Sequence, residues 1–317
     1  MTHRKSHNLA LIISIAVAIS TVSCEKSIDF DGDEQTPQVV VSAEPEADST
    51  VSLRLTYSRF FLSGTRFRTI DNATVTIDVN GYSHIGTYAD GVYDFDYIAT
   101  EGDSLALRIV LGDTIVSAST VVPHRPQIIA KESSGENIRF SLIDRSSEGN
   151  YYRMQLFAYD TIYTSLYGYD HYGNPIGPDG QLSTAVIDTT VDLYQTWFNC
   201  NDALLTDNTS TMSTDIYGDE ESYYSLFFTD ELFNGQEHEI SIHKSTYEES
   251  NRLYIIEITA MPRETYLYEL SLQRQGSEDF FLTEPVQIQC NIDGGLGIFG
   301  AKATTRLPIV INNRSNQ

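Results

Sequence analysis

Beyond residue 37 the chain alternates apolar and polar side chains in short runs separated by turn signals. Val51, Leu53, Leu55 and Tyr57 fall on one face of the run Val51–Tyr57, and Ala73–Val79 repeats the pattern. Alternation with period two marks a half-buried strand. Asn80-Gly81 and Asp90-Gly91 then supply two-residue hairpin turns, leading into Tyr82–Tyr88 and Val92–Phe95. Ser104–Val110 and Thr114–Val121 flank a further turn at Leu111-Gly112-Asp113. Strands recurring at this spacing, from Val39-Val40-Val41 onward, predict an immunoglobulin-like β-sandwich over 38–123.

Pro123-His124-Arg125-Pro126 is stiff and extended, and is read as a domain boundary. A larger β-rich domain is expected over 124–317. Its strands are Asn137–Ile143, Tyr151–Tyr159, Glu237–His243, Leu253–Ala260, Val286–Cys290 and Leu307–Ile311, with 160–225 the least regular part. Pro262 in a first turn, with Tyr266, Leu267 and Leu270 on one side, predicts a helix near 263–275. The expected fold class is all-β, mainly strands with one or two short helices. Trp197, the single tryptophan, is expected in the core.

The first 23 residues have a different pattern. His3, Arg4, Lys5 and His7 precede an eleven-residue apolar run, Leu9–Ile19, and then Ser20-Thr21-Val22-Ser23-Cys24. The run is too short to span a bilayer, for which about 20 residues are needed, and has the layout of a secretory signal. A cysteine at the cleavage position resembles a lipobox, with Thr21 standing where leucine is usual. Residues 1–23 then form a lipoprotein signal peptide, and Cys24 is the lipidation site, carrying palmitate-type acyl chains that hold a soluble body to a membrane. Residues 24–37 are acidic and aperiodic, a flexible tether. Asp29-x-Asp31-Gly32-Asp33 within it lacks the twelve-residue length and terminal glutamate of a calcium loop.

Charge narrows the partners. Removal of the signal takes Arg4 and Lys5 and no acid, leaving 18 basic against 44 acidic side chains, a net charge of −26. Such a surface argues against nucleic acid and against anionic membrane surfaces. Cys200 and Cys290 are the remaining cysteines and a candidate disulfide for an oxidising compartment. Closing that loop would be worth roughly 3–5 kcal/mol.

Motifs that carry chemistry are missing. There is no Gly-x-Ser-x-Gly elbow and no His-Glu-x-x-His site. His238 and His243 lie in an alternating run that sends them to opposite faces, so no metal site is expected there. The glycine string Gly294-Gly295-Leu296-Gly297-Ile298-Phe299-Gly300 lacks the lysine and hydroxyl of a phosphate loop and the strand–turn–helix setting of a dinucleotide site. No cofactor and no catalytic residue are assigned. The candidate ligand-binding residues are Tyr163, Tyr167, Tyr169 and Tyr172, beside a glycine- and proline-rich loop to Gly180, since tyrosine offers broad, stiff contact with a polar handle.

Several segments resemble, in order, the Bacteroidota lipoproteins grouped as domain of unknown function 4249. They are Cys24-Glu25-Lys26, Ile28–Asp31, Val39-Val40-Val41, Ala73–Ile77, Gly91-Val92-Tyr93, Asp230-Glu231-Leu232-Phe233-Asn234-Gly235, Glu284-Pro285 and Asn291–Gly300. The acidic run behind Cys24 resembles the signal that exports such lipoproteins to the outer cell face. Aspartate followed by Ser49, Ser104, Thr114, Thr161 or Thr189 resembles the O-glycosylation sequon of secreted proteins from the same bacteria. The resemblance implies an outer-membrane, lipid-anchored protein facing the cell exterior, often encoded near TonB-dependent transporters. The expected role is a non-enzymatic ligand- or partner-binding accessory to such a nutrient transporter. An adhesin or fimbria-type assembly subunit and a surface hydrolase remain open alternatives.

Overall fold

A computed structural model of the chain describes residues 36–60, 66–133, 136–145, 149–164, 168–172, 176, 181, 188–205, 213–214, 221–244, 253–277 and 287–310. Cys24, most of the tether and Tyr167 therefore lie outside the described residues.

The first eight strands are β1 (Val39–Ala43), β2 (Thr50–Tyr57), β3 (Thr74–Val79), β4 (Tyr82–Ile85), β5 (Thr87–Ala89), β6 (Val92–Ile98), β7 (Ser104–Leu111) and β8 (Thr114–Val121). They form two sheets, one containing β1-β2-β6-β5 and the other β4-β3-β7-β8. This is the strand order of the immunoglobulin fold, A-B-E-D facing C-F-G with a C′ strand added. Alternation builds the core as expected: Val51, Leu53 and Leu55 of β2 point inward against Val75 and Ile77 of β3 and Leu105, Leu107 and Ile109 of β7. Both predicted turns hold. Asn80 and Gly81 have φ of 50° and 91°, and Asp90 and Gly91 have 49° and 88°, the doubly positive pattern that suits the twist of a tight hairpin.

The second part adds β9 (Gln127–Ala130), β10 (Asn137–Ile143), β11 (Tyr151–Thr164), β12 (Asp188–Thr196), β13 (Phe198–Cys200), β14 (Ser213–Thr214), β15 (Glu221–Tyr223), β16 (Leu226–Thr229), β17 (Glu237–Lys244), β18 (Leu253–Met261), the helix α1 (Arg263–Ser277), β19 (Leu296–Phe299) and β20 (Ala303–Val310). One sheet runs β14-β15-β13-β17-β10-β9 and the other β12-β11-β18-β20, with β16 also on β11. Between them lies a second core that includes Ile138, Phe140, Met154, Leu156, Phe198, Ile240, Ile256 and Ile258. The helix covers part of the outer face of the second sheet, where Tyr266 and Leu270 pack with Phe227 and Met261.

The expected strand Val286–Cys290 is not formed over its described residues, 287–290, and three further features depart from the sequence reading. The chain does not divide cleanly at 123/124, because β19 pairs in parallel with β1, Val40 opposite Leu296 through Ala43 opposite Phe299. Ile292, Phe299, Ala301 and Ala303 belong to the first core. The segment that closes the first sandwich is thus supplied from the far end of the chain, a pairing that local alternation cannot announce. Second, 160–225 contains the nine-residue strand β12, whose aspartates and threonines hid its alternation. Third, Trp197 is not a core residue. It sits between β12 and β13 at 45% exposure, while its neighbour Phe198 is fully buried, because the chain changes sheets at this point.

Candidate functional site

The glycine string can be assigned first. From Asn291 to Gly300 the chain crosses from the edge of one sheet of the first sandwich to the edge of the other. Asp293 exchanges two backbone hydrogen bonds with Ser117 of β8, at 2.8 and 3.0 Å, and four residues later β19 lies on β1. A Cβ on Gly294 would stand 2.7 Å from the Ile115 carbonyl oxygen and one on Gly295 2.8 Å from that of Val39. At Gly297 it would overlap the Val41 carbonyl, and at Gly300 the Thr265 hydroxyl of α1. The glycines let backbone press on backbone along a seam. Asn291 locks it, donating to the Phe299 carbonyl at 2.8 Å and accepting from the Phe299 N–H at 3.0 Å.

The motif Asp230–Gly235 is also architectural. Asp144 and Asp230, 6% and 2% exposed, are bridged by the Asn150 amide at 3.2 and 3.1 Å. Asp144 further accepts from the Tyr152 hydroxyl at 2.7 Å and the Gly235 N–H at 2.8 Å. Burial raises the Asp230 carboxyl above its ordinary range, opposed in part by the Asn150 backbone N–H. Burial and the Asp144 hydrogen bond push the Tyr152 phenol upward. Fixed donors hold these groups in place, tying the β10–β11 connection to the β16–β17 turn.

His238 contacts Asp202 at 2.6 Å and stacks on Phe233, with ring centroids 4.9 Å apart. Among the described residues no hydroxyl or thiol hydrogen-bonds to this imidazole. His238 lies on the inward side of β17 and His243 on the outward side, as the alternation predicts. No group of three or more metal-ligating side chains occurs among the described residues. Two open grooves are present. One of about 410 Å³ is lined by Ser42, Glu44, Glu46, Ser52, Arg54 and Lys302. The other, about 730 Å³, lies along β8 beside Glu264 and Asp293. Behind the smaller groove, Glu269 of α1 pairs with Arg153 at 2.6 Å, and Lys302 lies 3.6 Å from Glu44. Burial raises the Glu269 carboxyl, and the neighbouring Glu44 adds to the shift against Arg153 and Lys302.

Cys200 and Cys290 form no disulfide. Cys200 is buried in the second core, whereas Cys290 is exposed and contacts the backbone of Ile292 and Gly295 at the seam. Only Cys200 belongs to a core; Cys290 lies at the surface beside the seam. Burial raises the Cys200 thiol to about 11.

The most prominent exposed feature among the described residues is a β-hairpin arm. β11 pairs with β18 only from Tyr151 to Ala158 but with β12 as far as Thr164 opposite Asp188. Among the described residues, Tyr159–Thr164 and Asp188–Leu193 therefore extend beyond the pairing with β18 as two strands. The tyrosine-rich segment follows at the tip: Tyr163 is on β11 opposite Thr189, and Tyr169 and Tyr172 are 50% and 86% exposed. Tyr172 packs edge-on against His171. Along the base of the arm Val191, Leu193 and Trp197 are 59%, 45% and 45% exposed, and Tyr224 is 43% exposed. Trp197 and Tyr224 form a tilted ring pair 5.2 Å apart, and Gln195 donates to the Tyr224 carbonyl at 2.6 Å. This surface was missed in the sequence, although Val191-x-Leu193-x-Gln195-x-Trp197 repeats with period two. Of the candidate glycosylation residues, Ser49, Ser104 and Thr114 are exposed, while the side chains of Thr161 and Thr189 lie outside the described set.

These features define an all-β protein of two sandwiches, stapled by a glycine seam and carrying a projecting aromatic arm. The chain belongs to the family described as Domain of unknown function (DUF4249), whose model matches residues 25–307. No match is found among curated proteins. Among solved structures it is similar to a two fibronectin type-III domain segment from chicken tenascin, 9% identical over 89% of this chain and 100% of that one, with a TM-score of 0.20. It is also similar to the collagen binding domain of Erysipelothrix rhusiopathiae surface protein RspB, 5% identical over 86% and 96%, with a TM-score of 0.17. Scores this low leave the strand order itself as the basis for the fold. No helix among the described residues is long and apolar enough to cross a membrane.

Proposed function

We propose that this protein is a Bacteroidota lipoprotein, anchored to the outer membrane through Cys24 and facing outward, that binds a ligand or partner as a non-enzymatic accessory to a TonB-dependent nutrient transporter. The observation that carries the binding reading is the arm. A two-stranded hairpin is only marginally stable alone in water, yet this one holds apolar and aromatic side chains in solvent, as an interaction surface does. The anchor reading is supported by the basic start, short apolar run and cysteine, and by a family match that begins at Glu25, directly after Cys24. Cys24→Ser is expected to abolish incorporation of labelled palmitate and to release the protein from the membrane fraction. Affinity capture from native outer membranes is expected to recover a transporter, and deletion to reduce uptake of its nutrient. Capture without a transporter, together with unchanged uptake, overturns the accessory role.

A further inference from the structure

We infer that the outer edge of β12 is a docking strand for an extended, cationic segment of a partner protein, which adds to the sheet beside Asp188–Leu193. This rests on the partner-binding reading above and specifies its chemistry. Three independent observations converge on it.

β12 ends its sheet, and among the described residues no strand lies on its side away from β11. An unpaired edge offers a row of N–H and C=O groups, and proteins commonly blunt such edges with lysine, proline or a bulge. Asp188–Leu193 contains neither lysine nor proline, its only charges are the aspartates Asp188 and Asp192, which a cationic strand would meet, and its pairing with β11 runs without a register shift. The outward side chains beside the edge are apolar, Val191 and Leu193, and lead to the exposed Trp197–Tyr224 pair. Such an edge with apolar positions alongside suits strand addition, in which backbone bonds give affinity and alternate side chains give specificity.

Charge selects the occupant. From Met154 to His243 the chain has 15 aspartates and glutamates and no lysine or arginine. The hairpin register sets positions 160 and 192, both aspartate, opposite one another, and like charge at opposing positions of a sheet favours an approaching cation. A second copy of the chain is the wrong partner: antiparallel pairing of β12 with itself would add two more aspartates to that site, on a chain whose full sequence has a net charge of −24. Lysine or arginine on an incoming strand would relieve the repulsion, be steered by the acidic field, and could lie over the Trp197 and Tyr224 rings.

Trp197 is the sole tryptophan, so its fluorescence reports directly on this surface. The full chain is titrated with a short synthetic peptide alternating lysine and valine. Saturable quenching or a blue shift is expected, weakening at high salt. The glutamate–valine counterpart is expected not to bind, and N-methylation of alternate backbone amides to weaken binding at least tenfold. Asp192→Lys is expected to cost about tenfold with the circular dichroism spectrum unchanged. Absence of binding by the lysine peptide, equal binding of its N-methylated form, or indifference to Asp192→Lys overturns the docking strand. In native membranes the two readings separate. A transporter captured equally by wild type and Asp192→Lys leaves the accessory role standing and removes the β12 edge from it. A wild-type chain that captures none, together with unchanged uptake on deletion, overturns the accessory role whatever the peptide does.

Discussion

Replacing Gly297 with alanine tests the seam at its tightest point. Gly297 has φ of +100°, and holding an L-residue in that region costs about 1–2 kcal/mol. A Cβ would also overlap the Val41 carbonyl oxygen and stand 3.0 Å from its carbon and 3.1 Å from the Val41 nitrogen. These are backbone atoms of β1, pinned on their other side by β2, so they cannot swing aside as a long side chain would. β19 must lift. It carries Ile298 and Phe299, 1% and 0% exposed, and partial withdrawal of the phenylalanine forfeits a share of the roughly 3–5 kcal/mol that deleting a buried one costs. The expected loss for G297A is therefore about 3–5 kcal/mol. Gly81 provides the internal control, with a similar φ of +91° and nothing within 4 Å of a Cβ. G81A should lose only the conformational part, about 1–2 kcal/mol. Urea unfolding followed by far-ultraviolet circular dichroism measures both, read as midpoint shifts at a common slope. Equal shifts for the two variants would refute the close approach to Val41 as the reason for glycine here.

Three further outcomes follow from side chains placed above. Trp197→Ala should change stability by less than about 1 kcal/mol, whereas Phe198→Ala should cost about 3–5 kcal/mol, and iodide should quench the folded protein's tryptophan fluorescence. Intact-mass measurement after alkylation under native conditions should show Cys290 modified and Cys200 protected until the chain unfolds; a missing pair of hydrogens would instead mark a disulfide. Because burial raises the folded Glu269 carboxyl, the folded state binds that proton more tightly than the unfolded chain. Its contribution is fully present below the unfolded value, about 4.3, and is lost as pH rises through the folded value. Glu269→Gln should flatten the stability profile above about pH 4, and an unchanged profile would remove Glu269 as its source.

Where one strand's neighbours are close in sequence, alternation and turn chemistry predicted the structure well. β2, β3, β7 and β8 and the turns at Asn80-Gly81 and Asp90-Gly91 were all readable, because each hairpin closes within a few residues. The helix was equally readable, since Pro262, Tyr266 and Leu270 mark its start and its buried side. β19 was not, because its partner β1 lies some 250 residues earlier and its glycines mimic other motifs. β12 was obscured by Asp188 and Asp192, which look like loop residues until β11 is seen beside them. Of the tyrosine cluster, Tyr163 lies on β11, and Tyr169 and Tyr172 follow it as exposed side chains. The base, with Trp197 and Tyr224, depends on two segments meeting where the chain changes sheets, and no local pattern encodes that meeting.

The residues that made the family recognisable are structural ones. Asn291–Gly300 closes the first sandwich, and Asp230–Gly235 supplies the Gly235 N–H to Asp144 and anchors the turn before β17. A chain can keep both and still vary what it binds, because neither segment reaches the arm. Membership of the family therefore fixes the scaffold and leaves the partner open. On the docking-strand proposal, the partner's chemistry is read instead from the stretch without a lysine or arginine. Net charge of one sign is destabilising through self-repulsion, and concentrating it on a hairpin with little core of its own places that cost where a cationic strand can relieve it on binding.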